Sequence, residues 1–245
     1  MAVRIEHLTS CRLPPGHPAQ RNLPRGSGDW SAENRERYDR RTFFYDAIPS
    51  DGRLTLVCPS LKPRLRRWLK GLAFRVDGSE HPIDPQRLTN RTDLIHLPAP
   101  SAGPRELRLS IRDGEGGAVF DARVPPPDVR LRGRRALVTL SRNNRLEWIA
   151  DWVRYHVEVQ GADALVLFDN GSTDYDPEDI AAALDDIAGL GEAAIVPAPL
   201  PFGPVGNDRV TTTARFLQFS LLYIAKVRFL AEARGVLNCD IDELV

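Results

Sequence analysis

Two strand-like runs in this chain end in acidic clusters. Ala164-Leu165-Val166-Leu167-Phe168 leads into Asp169-Asn170-Gly171-Ser172-Thr173-Asp174, and Val236-Leu237-Asn238-Cys239 leads into Asp240-Ile241-Asp242. Paired carboxylates are hard oxygen donors suited to Mg²⁺ or Mn²⁺ and, through the ion, to diphosphate oxygens. In Asp-x-Asp on a strand, both carboxylates point to one face because side chains alternate. A metal held there would stabilise charge developing on a leaving diphosphate. Asp169, in its short polar turn, is of the type that accepts from a base N–H or from ribose hydroxyls. The plainer alternatives are a strand end capped in water and an ordinary polar turn.

The elements that must position these residues follow from periodicity. Ala136-Leu137-Val138-Thr139-Leu140 reads as a buried strand. Leu146, Ile149, Trp152, Val153, His156 and Val159 then recur at helical spacing. Strand 164–168 follows. Asp176 caps a helix that has Pro177 in its first turn and Ile180, Ala183, Leu184 and Ile187 on its buried face. Ala193-Ala194-Ile195-Val196 is a third strand. A long helix is expected from Asn207-Asp208 to Gly235, and a strand from Val236 to Ile241. This βαβαβαβ order predicts an α/β fold, a mostly parallel sheet with helices on both faces. Ligands of such sheets bind outside the carboxyl ends of the strands. Three segments fall there: Ser141-Arg142-Asn143-Asn144, Asp169 to Asp174, and Asp240 to Asp242.

Upstream the character differs. Residues 1–41 are rich in Pro, Gly, Arg and Ser and read as a loose leader. Within 42–128, short strands such as Thr42-Phe43-Phe44-Tyr45, Leu54-Thr55-Leu56-Val57, Leu72 to Val76, Leu107 to Ile111 and Ala118 to Phe120 suggest a small β-sandwich, with a helical turn around Pro63 to Lys70. Pro125-Pro126-Pro127 cannot continue a ladder and marks a boundary, which leaves 129–245 as the α/β domain.

Net charge is zero but unevenly spread. Residues 1–135 carry 25 Lys and Arg against 16 Asp and Glu, and the remainder carry 8 against 17. Basic residues are mostly Arg and are not interleaved with aromatics, so no nucleic-acid platform is indicated. Three scattered cysteines make neither a disulfide framework nor a metal knuckle, and a reducing compartment is the simpler reading. No run is apolar enough to span a membrane, and the first residues lack an apolar signal core. A cytoplasmic location is expected, with peripheral contact at the inner membrane face left open through the basic half. Trp148 and Trp152 read as core, His156 as a packed structural histidine, and Cys239 as an inert small hydrophobe.

The ordered set Asn144-Arg145, Asp151-Trp152 with Tyr155-His156, Asp169-Asn170-Gly171-Ser172-Thr173-Asp174 and Asp240-Ile241-Asp242-Glu243-Leu244 resembles the nucleotide-binding half of GT-A glycosyltransferases. It is similar to family 2 and closer to the family 92-like branch (domain of unknown function 23), over roughly residues 135–245. The resemblance implies a GT-A, Rossmann-like domain and a metal-dependent hexosyltransferase-like enzyme of polysaccharide biosynthesis. Its donor would be a nucleotide-diphosphate sugar and its acceptor a glycan or other hydroxyl. It implies Ser141, Asn144, Asp169, Asn170, Ser172, Asp174, Arg215, Gln218 and Asp240 as donor contacts, and Asp240 with Asp242 as metal ligands, the metal being Mn²⁺ or Mg²⁺. Arg145 departs from the family's Glu, and Leu244 from its aromatic residue. The resemblance places the acceptor site and general base beyond Val245, so no catalytic base is named. The alternative is a nucleotide-sugar- or glycan-binding module without turnover. A nucleotidyltransferase would want a glycine-rich first loop, which Ser141 to Asn144 is not.

Overall fold

β2 (Arg135–Ser141), β3 (Ala164–Asp169) and β4 (Glu192–Pro197) form the middle of a five-stranded sheet, flanked by β1 (Ala2–Ile5) beside β4 and β5 (Gly235–Asn238) beside β2. All four pairings are parallel. In this computed structural model, residues 2–50, 52–83, 85–100 and 105–245 are described. The register sets Ser141 opposite Asp169 and Asp169 opposite Pro197, so three strands end on one line. Asn238 lies opposite Val138, so β5 ends short of that line.

From β2 the chain passes through α1 (Leu146–Gln160) to β3 and through α2 (Pro177–Leu184) to β4, stepping one way across the sheet. β5 lies on the other side of β2. The strand order therefore reverses between β2 and β5, the position where open α/β sheets leave a crevice.

Alternation fixes what covers the sheet. Leu137, Leu165, Leu167, Ala193 and Ile195 share a core with Ile149, Trp152 and Val153 of α1 and with Ile180 and Leu184 of α2. Val138, Val166, Phe168, Ala194 and Val196, on the opposite face, are also buried. Burial on both faces is why β3 reads as an unbroken apolar run. α1 stops at Gly161, whose φ of 65° is left-handed and whose N–H bonds the His156 carbonyl. α2 starts in a reciprocal capping box between Asp176 and Asp179, with Pro177 in the first turn.

The chain divides into two compact units. One consists of Met1–Leu8, Asp128–Leu200 and Ala225–Val245, and the other of Thr9–Pro127 and Pro201–Ile224. The first contains the parallel sheet. In the second, Asp46–Ser50, Arg53–Pro59, Thr92–Pro98 and Pro85–Arg87 form one four-stranded antiparallel sheet. Ala118–Val124, Leu107–Arg112, Ala73–Val76 and Ser79–His81 form another. Leu54, Leu56, Ile95 and Leu97 of the former meet Phe74, Val76, Leu109 and Ile111 of the latter in one core, with Phe43 and Phe44.

Residues 1–41, expected as a loose leader, hold β1 and a fully buried arginine. The Arg21 guanidinium donates to the carbonyls of Thr42 at 2.6 Å, Ser60 at 2.9 Å and Pro59 at 3.3 Å. The long helix expected between Asp208 and Gly235 is broken into α3 (Arg209–Thr213), α4 (Leu217–Ile224) and a π-helical turn, Ala225–Phe229. Asp208 caps α3 as expected, accepting from the N–H groups of Val210 and Thr211. The first break comes just after Thr212 and Thr213, whose hydroxyls bond back to the carbonyls of Asp208 and Arg209, an arrangement that weakens a helix. Among the described residues no helix is long and apolar enough to cross a membrane.

Candidate functional site

The residues beyond β2 and β3 are laced into one rim. Asn143 adopts a left-handed φ of 53°, which asparagine tolerates better than most residues. In that conformation its N–H donates to Ser172 Oγ at 2.9 Å and its amide nitrogen to Thr173 Oγ1 at 3.2 Å, while its Oδ1 accepts from the Thr173 N–H at 2.8 Å. Asn144 donates to Ser141 Oγ at 2.9 Å. Asp169 accepts from Ser172 Oγ at 2.5 Å and from the Ser172 N–H at 3.1 Å, closing a tight acidic turn. Gly171 completes that turn with φ 70°, where an added Cβ would stand 3.2 Å from Pro199.

Asn170, expected as a donor contact, is buried, and its amide nitrogen donates to the carbonyls of Ala198 at 2.7 Å and Leu200 at 2.8 Å. It ties the rim to the chain leaving β4. Asp174 is exposed and accepts from Thr173 Oγ1 at 3.0 Å. Arg215 and Gln218 belong to the other unit. Arg215 lies between α3 and α4 rather than on a helix, and its guanidinium donates to the carbonyls of Pro204 at 2.9 Å and Gly206 at 2.5 Å.

Asp240-Ile241-Asp242 follows β5 as a turn, which corrects the expected strand through Ile241. The Glu243 N–H donates to the Asp240 carbonyl and the Asp240 N–H to the Glu243 carboxylate, both at 3.0 Å. β5 is an edge strand among the described residues, and none of them continues its ladder past Asn238. Alternation survives nonetheless, because Ile241 is buried while Asp240 and Asp242 are exposed. Although Asp240 is exposed, partial desolvation of its carboxyl, together with the charges of Glu243 and Asp242, holds it above its usual range.

No protein-family model matches the chain. No curated protein matches it either.

The acidic turn is fixed from α1. The Trp152 indole N–H donates to the Glu243 carbonyl at 3.0 Å, and the Gln160 side chain donates to the Val245 carbonyl. His156 is fully buried, with Nδ1 at 2.8 Å from the Trp152 carbonyl. A carbonyl only accepts, so Nδ1 carries the proton and Nε2 accepts from the Cys239 thiol at 3.7 Å. Burial and the nearby Glu243 and Asp240 push that thiol up, which keeps it a donor. His156 is thus a structural residue, as its spacing implies, with the added task of holding the residue just before Asp240.

Two exposed anionic groups whose repulsion a cation would relieve suit a hard divalent ion. Asp240 and Asp242 are the residues that would hold it. Among the described residues no three His, Cys, Asp or Glu side chains group as a ligand set. Two carboxylates are an ordinary protein share for Mg²⁺, whose remaining positions go to phosphate and water.

The sequence placed Asn143 in the first rim segment without giving it a role; its signal was an Asn-Asn pair one residue after a strand. It also misplaced Trp148, which is 55 % exposed and stacked by Arg145 at 5.5 Å. Trp148 lies roughly 110° from the centre of α1's buried stripe, so its helical spacing from Trp152 did not bury it.

Proposed function

We propose that this chain is a divalent-metal-dependent glycosyltransferase with a GT-A-like nucleotide-binding domain. It would transfer a sugar from a nucleotide-diphosphate donor to a glycan or other hydroxyl acceptor. The observation that carries the reading is the reversal of strand order between β2 and β5, with the Ser141–Asn144 loop on one side and the Asp240–Asp242 turn on the other. Sheets of this kind bind nucleotides at that crevice.

The roles follow from the chemistry of each group. Asp169, with Ser172 and Asn143 bonded around it, forms a polar wall of the kind that orients ribose or base. Asp240 and Asp242 would hold Mn²⁺ or Mg²⁺. The ion, when bound, offsets negative charge on the leaving diphosphate. The antiparallel sheets of the other unit form a β-sandwich-like accessory module that would receive an acceptor or partner.

The test is calorimetric titration of UDP, GDP and their sugars, with and without Mn²⁺, into the chain and into Asp242→Asn. Mn²⁺-dependent binding is expected, with at least a tenfold loss in the variant. A folded chain that binds no nucleotide under any of these conditions would overturn the proposal. Metal-dependent binding with no transfer to any acceptor would instead favour a nucleotide-sugar-binding module.

A further inference from the structure

The unit formed by Thr9–Pro127 and Pro201–Ile224 has a cleft of about 390 Å³ bordered by Arg12, Arg35, Arg40 and Arg41, with Glu36 and Asp39. That volume suits a small ligand. Four guanidinium groups face two carboxylates, so the lining is net positive.

Three of the four guanidinium groups are held by main-chain carbonyls. Arg40 Nε donates to Arg21 O at 3.0 Å, Arg41 Nε to Leu13 O at 2.8 Å, and Arg35 to Trp30 O at 3.1 Å and Gly28 O at 2.8 Å. The Arg12 side chain makes no hydrogen bond or ion pair with the described residues. None of the four pairs with a carboxylate among the described residues, whereas Arg66, Arg75, Arg105, Arg108 and Arg123 of the same unit all do.

Asp39 does not neutralise the cleft. It is buried, and its carboxylate already accepts from Tyr45 Oη at 2.8 Å, the Thr42 N–H at 2.9 Å and the Arg41 N–H at 3.2 Å. Glu36 is the remaining acid. Guanidinium groups fixed through one edge keep other N–H groups for a ligand, and their planar fork matches phosphate and carboxylate oxygens. Anchoring to carbonyls fixes geometry without cancelling charge.

We propose that this cleft is an anion-binding site for a small ligand bearing a phosphate or carboxylate group. The site is separate from the acidic rim and does not depend on the glycosyltransferase reading. The two sources of oxyanion are distinguished by the probes: glucose 6-phosphate and pyrophosphate on one arm, glucuronate on the other.

The experiment is calorimetric titration of each probe into the full chain with EDTA present, so that no divalent ion can recruit phosphate to the acidic turn. Saturable binding of either arm is expected, weakened roughly tenfold by Arg12→Gln and strengthened severalfold by Glu36→Gln. The Arg12 side chain makes no hydrogen bond or ion pair among the described residues, and its strand pairing with Thr42 is main-chain, so the variant tests the site without removing a bond of the fold. Binding confined to the phosphate arm or to the glucuronate arm identifies the source. Absence of binding on both arms by a folded chain, or binding indifferent to both substitutions, would overturn the proposal.

Discussion

Asn143 and Arg21 show how single side chains carry the rim and the leader. Asn143 supplies both a left-handed backbone and bonds to Ser172 and Thr173. Asn143→Gly keeps the backbone and loses the side-chain bonds, whereas Asn143→Val loses those bonds and adds strain. The valine variant is expected to be less stable than the glycine variant by about 1 kcal/mol or more, measured by urea unfolding. Arg21 satisfies carbonyls from two separate segments inside the protein. Arg21→Met would leave those carbonyls without their charged donor, and a loss of about 3 kcal/mol is expected in the same assay. Neither role was legible in the sequence. Arg21 sits among Pro, Gly and Ser, a composition that signals looseness, and only tertiary carbonyls make it a core residue.

Elements were more legible where periodicity and caps agreed. α1, α2, β2, β3 and β4 stand where the apolar spacing and Asp176-Pro177 put them. Strand Thr92–Pro98 was missed because Asp93 interrupts its apolar run. That carboxylate is buried on bonds from the Leu61 N–H at 2.6 Å and Arg66 at 3.1 Å, partners remote in sequence. The acidic triplet was expected on the strand itself, and its turn was not legible, because only pairing reveals that β5 is an edge. The helix that fixes this turn gives a test. Trp152→Phe keeps most of the ring packing and loses the bond to Glu243, so Mn²⁺-dependent nucleotide binding is expected to weaken severalfold while helix content by circular dichroism is unchanged. β1 is held by Arg4, which bonds Asp128 and Glu192, each at 2.8 Å. Burial pushes the Asp128 carboxyl up, but bonds from Arg130 and Arg4 outweigh it and hold it below its usual range. The unfolded chain, with an ordinary aspartate near 3.9, therefore takes up the proton first as pH falls. This contribution is full above about pH 4 and fades as pH drops through the depressed native value. Urea midpoints at neutral pH and near pH 3 are expected to converge partly in Asp128→Asn.

At the scale of the molecule, the chain passes between its two units four times, so neither is a continuous segment. Residues 129–245 expressed alone would lack β1 and would carry the apolar α4, which belongs to the other unit. That segment is expected to give poor amide dispersion by NMR and an earlier, broader thermal transition than the full chain. The five-stranded sheet also joins residues remote in sequence, since Ala2 pairs with Glu192 and Arg135 with Gly235. During synthesis, β1 waits on the order of ten seconds or more for the strand it joins, and β2 waits several seconds for β5. The crevice between β2 and β5 therefore cannot close until Gly235–Asn238 has been made, and a chain that stops before residue 235 lacks both β5 and the acidic turn.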